Sequence, residues 1–204
     1  EQTIDRMSEG FQHLLEQIAE RADRSLDELS VISPRERDRL LTEWNTTAST
    51  YDRIATVTSL FAKQARQTPD ATALVDASGA MTYGELEARS NLIAQDLVGK
   101  GLGVGSLVGL GVERDSAMLV AMLGILKSGA AYVPLDRSYP QARLDYMIAD
   151  SGLELLIAPS GEQAQRWSAK LPWIALNEVD WSRASAAPAT DVSVQPTDLA
   201  YVIY

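Results

Sequence analysis

The sequence contains no cysteine and only one histidine among its 204 residues. The lack of cysteine excludes disulfides, thiolate nucleophiles and cysteine-ligated metal sites. The single histidine, His13, leaves no Ser-His-Asp set to be built, and alone it makes a poor metal site. We therefore expect His13 to occupy a surface or half-buried position on a helix.

Basic residues are also scarce, with 18 Lys and Arg against 28 Asp and Glu and a formal net charge of −10. This charge argues against nucleic acid or an anionic membrane as a partner, because both reward clustered cations. No apolar run reaches the roughly 18 residues of a membrane span, and the start does not resemble a secretory signal. We expect a soluble, cytoplasmic protein, since 46% hydrophobic residues is an ordinary globular value.

The first fifty residues predict two helices and a linker. Ser33, Pro34 and Glu36 form the start signal and capping box of the second helix, which should run to about Trp44. The small polar stretch "NTTAST" then predicts a linker, and we place a domain boundary near Tyr51. The first helix is indicated by apolar residues at three- and four-residue spacing, namely Ile4, Met7, Phe11, Leu14, Leu15 and Ile18.

Beyond the boundary, predicted strands alternate with predicted helices. The helices are "TVTSLFAKQARQTPD", "MTYGELEARSNLIAQDLVGKG", "RDSAMLVAMLGILKSG" and "YPQARLDYMIADSG", with glycines at 99 or 101, 129 and 152 to end the last three. The strands are two short ones around a turn at 76–79, then "LVGLGV", "AAYVPLD", "LELLIA" and "PWIAL". This alternation predicts an α/β fold with a mostly parallel sheet and flanking helices.

The last residues form a nearly unbroken apolar and aromatic run after a polar, Ala/Ser-rich stretch at 182–197. The run extends from Leu199 to Tyr204 and contains the β-branched Val202 and Ile203. Such a run predicts a strand buried on both faces of a parallel sheet. In such sheets function usually lies just past the carboxyl ends of the strands.

No catalytic set can be assembled from the residues themselves. The glycine-rich "GKGLGVGSLVGLG" lacks a third glycine at dinucleotide-loop spacing, since Ser106 and Val108 stand there, and it precedes its strand instead of coming after it. A Rossmann oxidoreductase is therefore excluded. The acidic pairs Asp136 with Asp145 and Glu113 with Asp115 are expected to be solvated or to cap helices, because nothing places them in one pocket.

Two stretches carry a resemblance to a known family. "MTYGEL" at 81–86 and "LKSGAAYVPLD" at 126–136 resemble the first two core motifs of adenylation domains in nonribosomal peptide synthetases, in the family's order. "QPTDLAYVIY" is similar to the strand that leads into the family's phosphate-binding loop, which is expected directly after Tyr204. "RMSEGFQHLLEQIAE" and "LSVISPRERDRLLTEWN" resemble a condensation-domain tail and the linker that joins it to the next domain.

The resemblance implies three segments: residues 1–30 as the condensation-domain tail, 31–52 as the inter-domain linker, and 53–204 as the N-terminal part of an adenylation domain. No catalytic, cofactor-binding or metal residue of the family falls within 1–204. The motif residues are expected to be structural: Thr82, Tyr83, Glu85, Leu86, Leu126, Lys127, Gly129, Tyr132, Val133, Pro134 and Asp136. Pro134 should end the hydrogen bonding of its strand, and Asp136 should cap the next segment.

The implied reaction belongs to the complete domain. It would activate an amino acid with ATP and Mg²⁺ to an aminoacyl adenylate and load it onto the phosphopantetheine thiol of a carrier domain. The implied partners are an upstream condensation domain, the rest of the adenylation domain and the carrier domain. Two alternatives stay open: another adenylate-forming ligase for acyl-CoA or aryl acids, and a non-catalytic linker or interface fragment.

Overall fold

The computed structural model describes residues 2–23, 25–168, 170–185, 187 and 192–204, so the polar stretch predicted at 182–197 lies partly outside the described residues. The chain divides into two units, residues 1–51 and 52–204. Within the described residues, no helix is long and apolar enough to cross a membrane.

The first unit contains two α-helices, α1 (Gln2–Glu20) and α2 (Pro34–Leu41), with short 3-10 helices at Leu26–Glu28 and Glu43–Asn45. The side chain of Ser33 accepts a hydrogen bond from the Glu36 backbone, as predicted for the N-cap of α2. The Glu36 carboxylate pairs with Arg39, so the predicted capping box forms only in its Ser33 half. Helix α2 ends at Leu41, before the predicted end near Trp44. His13 is half-buried on α1, as expected.

The second unit alternates helices and strands, which confirms the predicted α/β class. Its strands are β1 (Thr72–Asp76), β2 (Gly79–Thr82), β3 (Leu107–Leu110), β4 (Ala131–Pro134), β5 (Leu155–Ala158) and β6 (Trp173–Ala175). Its helices are α3 (Val57–Gln67), α4 (Tyr83–Gly99), α5 (Ser116–Lys127), α6 (Gln141–Ser151) and α7 (Gly161–Trp167), with 3-10 helices at Leu176–Glu178 and Trp181–Arg183.

The strands form two sheets. β1 and β2 make an antiparallel hairpin, and the other four form a parallel sheet in the order β4-β3-β5-β6. The chain steps from β3 to β4 on one side and then to β5 on the other side of β3. This is a doubly wound arrangement, in which ligand crevices lie beyond the carboxyl ends of the strands.

Alternating residues of the central strands pack into two separate cores, one on each face of the parallel sheet. Leu155 and Ile157 of β5 belong to the core that includes α4 and α5. Leu156 and Ala158 of the same strand belong to the core that includes α6 and α7. Helices therefore cover both faces, which explains why β5 reads as a continuous apolar run.

Local start and stop signals act where they were predicted. Thr82 and Glu85 form the reciprocal capping box at the start of α4. Gly129 lies just after α5 with φ of 85°, and Gly152 lies just after α6 with φ of 68°, a left-handed conformation that favours glycine. Helix α5 is largely buried, as its apolar character predicted.

Two strand predictions were wrong in detail. The run from Leu199 to Tyr204 is not a strand buried on both faces, because it pairs with β4 on one side alone through an isolated parallel bridge at Tyr201. Tyr201 is 52% exposed and Ile203 71% exposed. Pro134 does not end the hydrogen bonding of β4, because the next residue, Leu135, donates its backbone N–H to Leu110.

Candidate functional site

The candidate site is the carboxyl edge of the parallel sheet, where the loops after β3 and β4 meet the last residues of the chain. A cleft of about 650 Å³ opens there. Its lining combines strand ends with charged loop residues, among them Leu110, Glu113, Arg114, Tyr132, Asp136, Arg137 and Ile203. We call it the edge cleft.

The charges of the edge cleft are organised by two interactions. Arg137 and Glu113 form an ion pair between the loops after β4 and β3. The backbone N–H and the hydroxyl of Ser138 lower the pKa of the exposed Asp136 carboxyl, whose Oδ1 lies 2.8 Å from the Ser138 nitrogen. Asp136 therefore caps a turn that precedes α6, and it stays ionised at neutral pH.

The last residues of the chain are hydrogen-bonded to β4, the outer strand of the parallel sheet. The Tyr132 backbone N–H donates to the Ala200 carbonyl at 3.1 Å, and the Val202 N–H donates to the Tyr132 carbonyl at 3.0 Å. The rings of Tyr132 and Tyr201 lie 5.7 Å apart. Tyr132, a residue of the second motif, thus positions the segment that runs towards Tyr204.

The other polar centre of the two motifs lies at the contact between α4 and α5, and we call it the Lys127 cluster. Lys127 Nζ is 2.7 Å from a Glu87 carboxylate oxygen, 2.8 Å from Ser90 Oγ and 2.7 Å from Asn91 Oδ1. The Lys127 side chain is 8% exposed and that of Glu87 12% exposed. Burial lowers the pKa of Lys127, and its hydrogen bond to Glu87 and the charge of that carboxylate oppose this shift.

The Lys127 cluster also binds the segment that leads to the end of the chain. The Asn91 side chain donates from Nδ2 to the carbonyls of Ala187 at 2.9 Å and of Ser185 at 3.3 Å. Asn91 therefore accepts from Lys127 with its oxygen and donates to the backbone of these two residues with its nitrogen. The side-chain amide of Asn91 thus links α4 and α5 to the backbone of Ser185 and Ala187.

The remaining motif residues lie in or against the cores. Leu86 and Val133 are buried, and Leu126 and Pro134 are half-buried. The Tyr83 ring packs against that of Phe61 with centroids 5.8 Å apart. The structure therefore does not bring the eleven motif residues into one site; it distributes them between the start of α4, the Lys127 cluster, the edge cleft and the cores.

Sequence reasoning missed the contacts that join distant parts of the chain. The Asp76 carboxylate accepts from the Ser116 backbone at 2.8 Å, which links the β1–β2 turn to the start of α5. The Ser78 hydroxyl and this Ser116 N–H lower the pKa of Asp76 well below its usual range. The acidic side chains have separate partners: Asp145 accepts from Gln141, Asp115 caps α5 and Glu113 pairs with Arg137. Glu113 and Asp115 nevertheless line one pocket, contrary to expectation, and the Asp115 backbone N–H donates to the Glu113 carbonyl at 2.9 Å. Among the described residues, no group of three His, Asp or Glu side chains is arranged to bind a metal ion.

Comparison with known proteins adds family information to this geometry. A family model described as "AMP-binding enzyme" matches residues 61–204. One of the linear gramicidin synthase proteins of Brevibacillus parabrevis is 41% identical over 100% of this chain, and Gramicidin S synthase 2 of Brevibacillus brevis is 36% identical over 100%. The chain spans only 4% of the length of each of these two relatives.

Two solved structures of similar fold differ in how much of this chain they cover. The nonribosomal peptide synthetase FmoA3, with α-methyl-L-serine-AMP bound, matches 97% of this chain and 23% of its own, with a TM-score of 0.74 and 29% identity. VinN matches 74% of this chain and 42% of its own, with a TM-score of 0.67 and 28% identity.

Proposed function

The chain belongs to the family of AMP-binding enzymes, and from this membership we propose that it is the N-terminal part of an adenylation domain in a nonribosomal peptide synthetase. The complete domain would activate an amino acid with ATP to an aminoacyl adenylate, releasing pyrophosphate. It would then transfer the aminoacyl group to the phosphopantetheine thiol of a carrier domain. We propose a cytoplasmic location for this synthetase.

The observation that carries the proposal is the extent of similarity to peptide synthases. The gramicidin synthase relatives match 100% of the chain, so the match includes the first unit as well as the α/β unit. The solved structure of VinN, by contrast, matches only 74% of the chain, whereas that of the synthetase FmoA3 matches 97%. A segment such as the first unit is expected when a further domain precedes the adenylation domain. Its presence favours a synthetase over an acyl-CoA ligase or an aryl-acid ligase.

The first unit supports a finer proposal, with residues 1–30 as the tail of a condensation domain and 31–52 as the linker. Helix α1 displays an apolar stripe that is at least 45% exposed at each position: Ile4, Met7, Phe11, Leu15 and Ile18. An exposed apolar stripe of this length is typical of a surface that packs against another protein element. The same stripe favours the non-catalytic interface role as a second function of this unit.

The described residues do not fit ATP or Mg²⁺ by themselves. Arg137 of the edge cleft pairs with Glu113, and no acidic cluster in the described part of the chain is arranged around a cation. As the family resemblance implies, we assign nucleotide and metal binding to residues beyond 1–204, and we derive no catalytic step from residues 1–204. We also propose that the eleven motif residues stabilise the fold and do not contact the substrates.

The proposal is tested by amino-acid-dependent exchange of pyrophosphate into ATP. A protein that contains residues 1–204 within a complete adenylation domain should catalyse exchange with at least one amino acid in a screen of the proteinogenic set and common non-proteinogenic ones. Failure with every amino acid, in a folded protein that binds ATP, would contradict the proposed function.

The isolated 204-residue chain should catalyse no exchange with any amino acid, because the resemblance places the family's catalytic residues outside it. The measurement is the same assay on purified 1–204, with the complete domain as the positive control. Exchange above background that depends on an amino acid would show that 1–204 contains catalytic residues.

A further inference from the structure

Helix α6 contacts the last residue of the chain with three side chains. The Tyr204 hydroxyl donates to Asp150 Oδ2 at 2.7 Å, and Arg143 Nη2 lies 3.5 Å from the Tyr204 carbonyl oxygen. The Tyr146 ring meets the Tyr204 ring edge-on, with centroids 6.3 Å apart. Both ends of Tyr204, its backbone and its phenol, are therefore bound by one helix.

The geometry of α6 makes it a rigid support for these contacts. Residues spaced by three and four positions share one helix face, so the three contacting side chains line a single stripe. On the buried side, Leu144 and Met147 anchor α6 in the core beneath the sheet. The Arg143 guanidinium also lies over the Tyr139 ring at 4.0 Å, which restrains its orientation.

The same terminal segment is fixed a second time by the sheet. Ala200 and Val202 are hydrogen-bonded to Tyr132 of β4, two to four residues before Tyr204. The backbone therefore leaves β4 in a defined direction, and α6 then fixes where it emerges. A segment continuing beyond Tyr204 would start from a position set by both elements.

Resting on the proposed function, we propose that Asp150 and Arg143 are positioning residues for the phosphate-binding segment expected after Tyr204. They act through Tyr204 and do not touch the nucleotide. A loop that binds phosphate through backbone N–H groups must be ordered when the nucleotide binds, at an entropic cost. Fixing the residue before the loop reduces that cost, so the contacts strengthen nucleotide binding.

The test uses the complete adenylation domain and compares Asp150→Ala, Asp150→Asn and Tyr204→Phe with the wild type. Asp150→Ala and Tyr204→Phe should each raise the KM for MgATP about three- to tenfold, the effect of losing one ordinary hydrogen bond at an exposed position. The kcat and the KM for the amino acid should change less than about twofold, because the contact acts on nucleotide binding. Asp150→Asn keeps an acceptor oxygen and should recover most of the affinity.

Asp145→Ala is the matched control, because Asp145 is an exposed aspartate of the same helix that accepts from Gln141 and not from Tyr204. It should leave the KM for MgATP unchanged. The double variant Asp150→Ala, Tyr204→Phe should raise the KM for MgATP no more than either single variant does, since both changes remove the same hydrogen bond. Amide hydrogen exchange of a peptide covering 198–204 should be faster in Asp150→Ala than in Asp145→Ala.

The outcomes separate this inference from the function on which it rests. An unchanged KM for MgATP in Asp150→Ala and Tyr204→Phe, in an active domain, overturns the positioning role and leaves the proposed function intact. A fall of kcat with unchanged KM also overturns it. A wild-type domain without exchange activity overturns both.

Discussion

Lys127→Met should lower the free energy of unfolding by about 3–5 kcal/mol, the usual cost of removing one partner from a buried ion pair. Methionine fills a volume close to that of lysine, so the loss comes from the charge and not from a cavity. It leaves the Glu87 carboxylate, 12% exposed, without the ammonium that lies 2.7 Å away in the wild type. It also removes the donor to Ser90 and Asn91.

Urea denaturation of the 204-residue chain, monitored by circular dichroism, measures this change. Lys63→Met is the matched control, since Lys63 is exposed on α3, and it should change stability by less than about 0.5 kcal/mol. Adding Glu87→Gln to Lys127→Met should recover part of the loss, because it removes the unpaired charge. Equal effects of Lys127→Met and Lys63→Met would show that the Lys127 cluster does not stabilise the fold.

The parts of the fold that could be predicted are those whose signals are local. The capping box of Thr82 and Glu85 spans four residues, and the glycines after α5 and α6 act on the residue beside them. The periodicity of α1 and the short apolar strands are equally local. These signals predicted the α/β class and most of the order of its elements, because each depends on a few neighbouring residues. Helix α7 was not predicted, and the run after Leu199 was predicted as a strand but forms only an isolated bridge.

The contacts of the candidate site could not be predicted, because their partners are far apart in sequence. Lys127 was recognised only as part of a motif, and its partners Glu87 and Asn91 lie 40 and 36 residues earlier. Tyr204 and Asp150 are 54 residues apart. The order of the strands determines which of these groups meet, and periodicity carries no information about it.

The apolar run at 199–204 shows the same limit. An apolar run predicts burial, but burial depends on which elements lie beside it. The segment from Leu199 has β4 on one side, so Tyr201 and Ile203 remain exposed in this chain. An apolar sequence therefore indicates that a segment can be buried, and whether it is buried depends on the elements that pack against it.

Gly111→Ala should lower the free energy of unfolding by about 3 kcal/mol or more, as expected for severe overpacking. Gly111 lies just after β3, and a Cβ built on it would lie 1.4 Å from an atom of the Trp167 ring. Its backbone cannot move away cheaply, because its N–H donates to the Ile157 carbonyl at 2.9 Å and joins β3 to β5. Trp167 is buried on α7 and would have to leave the core that it shares with Leu156 and Ala164.

A double-mutant cycle in the 204-residue chain tests this mechanism by urea denaturation. Trp167→Leu alone should cost about 2–4 kcal/mol through loss of buried surface. It also removes the ring atoms that clash, so Gly111→Ala should cost about 1–3 kcal/mol less in the Trp167→Leu background than in the wild type. Gly99→Ala, where a Cβ meets nothing within 4 Å, should be neutral or stabilise by up to about 1 kcal/mol. Additive effects of the Gly111 and Trp167 changes would instead mean that the glycine is required by its backbone and not by the indole ring.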